Sequence, residues 1–77
     1  MKHKHAYQDT LKSKRKRLHL TQQELAEAMP TSLRTFQRIE RGYRPPYKDE
    51  AQVIADNLLL DFETFWEQCE QAWDEIG

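Results

Sequence analysis

Between Ser32 and Arg41 the chain places Arg34, Gln37, Arg38 and Arg41 around an apolar pair, Phe36 and Ile39. On a helix Phe36 and Ile39 share the face that must pack inward, which leaves Ser32, Leu33, Arg34, Gln37, Arg38 and Arg41 on the opposite face. Those side chains carry the donors and acceptors that can read a nucleic-acid duplex. Arginine pairs with both acceptors of guanine, glutamine pairs with adenine, and Leu33 suits a thymine methyl. Arg34, Gln37 and Arg38 are therefore candidates for base contacts, and Ser32, Arg41 and Arg44 for phosphates. One arginine on a surface is usually a solvated charge and nothing more; three on one short helical face form a pattern. Glu40 reads as structural, paired with a basic side chain, because a carboxylate facing phosphates would weaken binding.

No other constellation competes. The chain has no glycine-rich phosphate loop, no His/Cys/Asp cluster and no nucleophile beside a plausible base, so neither an enzyme nor a cofactor is expected. Cys69 is the lone cysteine; it can make no internal disulfide, lacks metal-ligand spacing, and is expected in the core. His3 and His5 stand in a basic segment, Met1-Lys2-His3-Lys4-His5, without apolar anchors. Residues 1–6 are thus expected to form a mobile arm, able to reach along a DNA groove or to grip a divalent metal weakly.

With 77 residues the chain is one domain, 1–77, whose folding buries only roughly 60% of the surface it exposes unfolded. At 38% hydrophobic and 32% charged, with no long apolar run and no signal-peptide core, it is expected to be soluble, cytoplasmic and independent of membranes. The net charge of −1 hides a division. Residues 1–44 hold 11 Lys/Arg against 4 Asp/Glu, whereas residues 45–77 hold 1 against 9. The basic half contains the candidate reader, and the field at that face matters more than a whole-chain isoelectric point near 6.3.

Five helical patterns are in place to position these residues. Tyr7, Thr10, Leu11, Lys14 and Leu18 form one stripe, with Lys12, Arg15, Lys16 and Arg17 around the rest. The run 14–17 lies inside that pattern and reads as a solvated helix end that can face phosphates, rather than as a localisation or membrane signal. His19 falls at the break, where a positive φ is useful. Thr21 and Glu24 have the spacing of a capping box, which starts a second helix at Gln22 carrying Leu25, Ala26 and Met29. Ser32 suits the N-cap of a third helix over about 33–41, and Gly42 its left-handed end. Pro45 and Pro46 make a stiff connector. Ala51, Ile54, Ala55 and Leu58 mark a fourth helix over about 48–58. Asp61 then caps a fifth, 61–76, striped with Phe62, Phe65, Trp66, Cys69, Ala72, Trp73 and Ile76. That stripe runs further than so small a domain can cover. Trp66, Trp73 and Ile76 are accordingly expected at a two-fold dimer contact, unless the helix folds back to complete its own core.

Taken together, Leu-Thr-Gln-Gln-Glu-Leu-Ala at 20–26, Arg-Thr-Phe-Gln-Arg-Ile-Glu-Arg-Gly at 34–42, the Arg-Pro-Pro that follows and the Ile54-Ala55 to Leu58 helix resemble the Cro and phage-repressor (XRE-type) family of helix-turn-helix regulators. The resemblance covers about residues 7–66. It implies an all-α, compact five-helix lambda-repressor-like domain with the helix-turn-helix at about 21–42, double-stranded DNA as partner, and usually a homodimer on a pseudo-palindrome. By the same resemblance Gln22 is the residue opening the second helix whose side chain grips a backbone phosphate. A helix N-terminus with free amides and a positive dipole end supports that role. Pro30 departs from the family pattern, which usually has glycine with positive φ in the turn; proline cannot adopt it, so Met29 should be pushed out of helical geometry. Thr31 stands where the family prefers an aliphatic residue.

The expectation is a sequence-specific, dimeric transcriptional regulator, most simply a repressor, acting by occupying an operator. Phage regulator, restriction–modification controller and antitoxin are not separable from the residues alone. Pro30 and the acidic, aromatic last helix motivate an alternative from another class. In it, the domain keeps the fold but serves as a protein-interaction module, such as an antitoxin binding its partner through the C-terminal helix.

Overall fold

Polar side chains just ahead of the apolar stripes set where the helices begin. The structure is a computed structural model that describes residues 5–29 and 31–76. It contains α1 (Ala6–Arg17), α2 (Gln22–Ala28), α3 (Leu33–Glu40), α4 (Lys48–Leu58) and α5 (Phe62–Ile76), with no strand among the described residues. At α2 the expected capping box closes in both directions: Thr21 Oγ1 accepts the Glu24 amide at 3.1 Å and the Glu24 carboxylate accepts the Thr21 amide at 2.9 Å. Ser32 Oγ accepts the Thr35 amide at 3.1 Å, and Asp61 Oδ2 the Thr64 amide at 3.0 Å. In α1 and α4 the third helical residue reaches back instead, Gln8 Oε1 to the His5 amide and Glu50 Oε1 to the Tyr47 amide, both at 2.8 Å.

Three helices stop by one device. His19 (φ 59°), Gly42 (φ 88°) and Leu59 (φ 57°) are left-handed, and the amide of the next residue turns back to a carbonyl five positions earlier: Leu20 to Arg15, Tyr43 to Arg38, Leu60 to Ala55. His19 and Gly42 match expectation. Leu59 does not, since a leucine at positive φ pays a Cβ clash that glycine avoids. Pro30 lies outside the described residues. On either side of it, Met29 leaves helical geometry (φ −93°, ψ 13°), while the Thr31 amide still reaches Ala26 O at 3.3 Å.

The expected stripes meet in one core: Tyr7 and Leu11 of α1, Leu25 and Ala26 of α2, Phe36 and Ile39 of α3, the α4 row from Ala51 to Leu58, and Phe65, Cys69 and Ala72 of α5. Helix α2 packs on α3 and α4 on α5, while α1 packs against α3, α4 and α5. Pro45 and Pro46 are fully buried and hold the connector against this core. The Tyr7 hydroxyl donates to Ile39 O at 2.7 Å, fixing the end of α3 to α1; burial raises its pKa well above the ordinary phenol value. Burial likewise pushes the Cys69 thiol up to about 12, so it stays a neutral core group.

Two expectations need correction. Residues 1–4 lie outside the described residues, but His5 and Ala6 are not part of a mobile arm. Ala6 opens α1, and His5 is 7% exposed, with Nδ1 2.9 Å from Glu75 Oε1 at the far end of α5. Trp73 is not left over for a partner either: its Nε1 donates to Pro46 O at 2.9 Å and its ring stacks on Tyr47 at 5.4 Å. Helix α5 folds back along the connector and covers most of its own stripe. Trp66, half-buried, stacks on Phe62, and Ile76 remains 51% exposed.

Candidate nucleic-acid interface

Because Phe36 and Ile39 are pinned in the core, the rest of α3 is turned outward. Arg34, Arg38 and Arg41 are exposed, and their guanidinium groups have no hydrogen-bond or ion-pair partner among the described residues. Together with Gln37 and Tyr43 they line an open cleft of about 250 Å3. Leu33 is half-buried at the first turn. Ser32 is exposed at the tip, with its hydroxyl engaged by the amide and the hydroxyl of Thr35.

Gln37 is held from beneath. Its Nε2 donates to Gln22 Oε1 at 3.1 Å, Gln22 Nε2 donates to Glu40 Oε1 at 2.9 Å, and the Glu40 carboxylate is forked by Arg15 at 2.8 and 3.0 Å. Arg15 and Glu40 are both more than nine-tenths buried. A buried ion pair adds little net stability, but breaking one partner away is costly, so the pair fixes the register of α1 against α3. Gln22 inherits that fixed geometry and passes it to Gln37. Glu40 is thus structural, as its position suggested, and is paired with Arg15. A second open groove of about 470 Å3 lies beside this chain of contacts, lined by Gln8, Lys12, Arg15, Lys16, Gln22, Glu40 and Arg41.

Arg44 does not join the face. Its guanidinium forks Glu50 at 2.9 and 3.1 Å and lies 4.3 Å over the Tyr47 ring, so its charge is directed to α4 and not toward phosphates. Burial alone would raise the Glu50 pKa; the Arg44 bonds and the Tyr47 amide outweigh it and hold the carboxyl below its usual range. The geometry therefore gathers Gln22, Ser32, Leu33, Arg34, Gln37, Arg38 and Arg41 and removes Arg44. It adds Lys12 and Tyr43, which sequence reasoning passed over, and Lys16, which it had placed in a helix end able to face phosphates. The four-residue spacing of Gln8, Lys12 and Lys16 was the available signal for the two lysines.

Two short helices thus follow one another, the second capped at Ser32 and presenting an uncommitted cationic face. A family model described as helix-turn-helix matches residues 11–65, well over half of the chain. The chain belongs to the Cro/C1-type (XRE-like) helix-turn-helix family. No curated protein and no solved structure gives a significant match. This helix-turn-helix chain is accordingly a DNA-binding regulator with double-stranded DNA as its partner. The matched span contains α2, α3 and α4 entire, and Trp66, Trp73 and Ile76 lie beyond it. Among the described residues no helix is long and apolar enough to cross a membrane, and no cluster of His, Cys, Asp and Glu is placed to hold a metal ion.

Proposed function

We propose that this protein is a sequence-specific repressor that binds a pseudo-palindromic operator as a cytoplasmic homodimer, with one α3 in each major groove. The observation that carries the reading is the outer face of α3, where three unpaired guanidiniums flank a glutamine whose orientation is fixed from below. Gln37 gives one N–H to Gln22 and keeps its other N–H and its carbonyl oxygen, the pair that adenine N7 and N6 require. Gln22 keeps one N–H for a phosphate. Arg34 and Arg38 are the guanine readers, Leu33 meets a thymine methyl, and Ser32 and Arg41 face the backbone. Repression follows from occupancy, with no chemistry of the protein's own.

The exposed Ile76 and half-buried Trp66 of α5 support the dimer contact, with Trp73 acting indirectly by bracing the helix. The same exposed end favours a second reading, in which α5 docks a different protein, as an antitoxin would. Light scattering of the purified chain separates them, since the first requires a dimer mass and the second is compatible with a monomer. The direct test of the main reading is selection of bound duplexes from a random pool. It should return a two-fold symmetric sequence with half-sites about 34 Å apart, and Arg34→Ala should relax preference at one base position. Recovery of no preferred sequence at any salt concentration would overturn it.

A further inference from the structure

Lys12 and Lys16 are one helical turn apart on α1 and therefore share a side of it. Gln8, one turn earlier in the same row, donates to Glu40 O at 3.3 Å, so this side of α1 looks toward the end of α3. The two lysines line the 470 Å3 groove together with Gln22, Glu40 and Arg41. Both ammonium groups are exposed, and neither has a hydrogen-bond or ion-pair partner among the described residues. The groove's carboxylate does not neutralise them: Glu40 is 6% exposed and already taken by Arg15 and Gln22. Like charges at this helical spacing also repel, a small cost to α1.

We propose that Lys12 and Lys16 form a second phosphate-binding row, which clamps the DNA backbone beside the bases read by α3; the proposal rests on α3 being the reading helix. Lysine suits this use, because an ammonium holds a phosphate as a point charge without the planar geometry a base contact requires. Four residues of α1 rise about 6 Å, a step that lets the two side chains address successive phosphates of one strand. Gln22 and Arg41, which line the same groove, offer donors to a neighbouring phosphate. The footprint on each half-site then extends past the bases that α3 touches, without any added sequence preference.

The test is the double variant Lys12→Gln, Lys16→Gln in the full chain, assayed on the selected operator and on a scrambled duplex across a salt series. Two lost phosphate contacts should make the slope of log K against log salt shallower by nearly two. Affinity should fall by the same factor on both duplexes, so that their ratio is unchanged. Ethylation of the flanking phosphates should interfere with the parent and no longer with the variant, while Lys12→Arg, Lys16→Arg keeps the parent slope. A slope equal to the parent's, or a changed ratio between duplexes, overturns the proposal. The reading of α3 fails differently: Arg34→Ala would leave the ratio untouched, while the lysine contribution would still show in the slope on any duplex.

Discussion

Under the proposed function Gln22 has two jobs that a contact-by-contact view would treat as separate. One N–H is free for a phosphate, and its carbonyl oxygen is the support on which Gln37 rests. Removing it should weaken binding to every duplex and also loosen Gln37, the glutamine proposed to read a base. Gln22→Ala and Gln37→Ala are therefore expected to be non-additive, with a coupling of about 0.5–3 kcal/mol in a double-mutant cycle on the operator. Additive losses would show that the 3.1 Å bond between them does nothing for recognition. The spacing of Gln22 and Gln37 on separate helices gave no hint of this coupling. A hydrogen bond between residues 15 apart depends on how α2 crosses α3, which no local pattern encodes. Arg44 shows the same limit. Its residue type and place suited a phosphate, but Glu50, one turn into the next helix, came within reach once Pro45 and Pro46 fixed the connector.

At the scale of the helices, the left-handed ends differ in how well their residues suit them. Leu59 is 76% exposed and at φ 57°, so its side chain brings strain and little burial. Leu59→Gly should stabilise the fold by about 1 kcal/mol, read from the urea midpoint. Gly42→Ala should move that midpoint the other way. A Cβ there would lie 2.6 Å from Gln8 Oε1, and Gln8 is tethered to both the His5 amide and Glu40 O. Equal shifts in one direction for both variants would refute the assignment. Helix starts were legible because a cap and its partner sit three residues apart, as at Thr21 and Glu24 or Asp61 and Thr64. Gly42 and His19 were legible because their types tolerate positive φ. Leu59 was not, since nothing about a leucine announces a turn there, and packing of Leu58 and Leu60 against the core decides it. The stacking of Trp73 on Tyr47 was hidden for the reason that hid the Arg44 pairing: it joins residues whose nearness is a property of the whole fold.

For the whole molecule, the carboxylates that organise helix starts set the response to acid. Glu24 and Asp61 are held below their ordinary pKa values by hydrogen bonds from Thr21 and Thr64, and Glu50 by Arg44 and Tyr47 against the opposing effect of burial. A carboxyl depressed in the folded state stabilises it above the unfolded value, about 4, and that contribution drains away as pH falls through the folded value. The thermal midpoint should thus be level from neutral pH to about 5 and decline progressively below about 4. A midpoint unchanged at pH 3 would mean these caps contribute nothing to the fold.

The division of charge along the chain acquires a consequence once the helices are in place. Most of the basic residues sit on α1 and α3 and most of the acidic ones on α4 and α5, so charge is divided between helices despite a net charge of −1. Near a polyanion a body with its charge so divided feels a torque before it feels contact, which under the proposed function would turn α3 inward while still separated by solvent. Productive collisions then become a larger share of all collisions, and association slows as salt shortens the distance over which the torque acts.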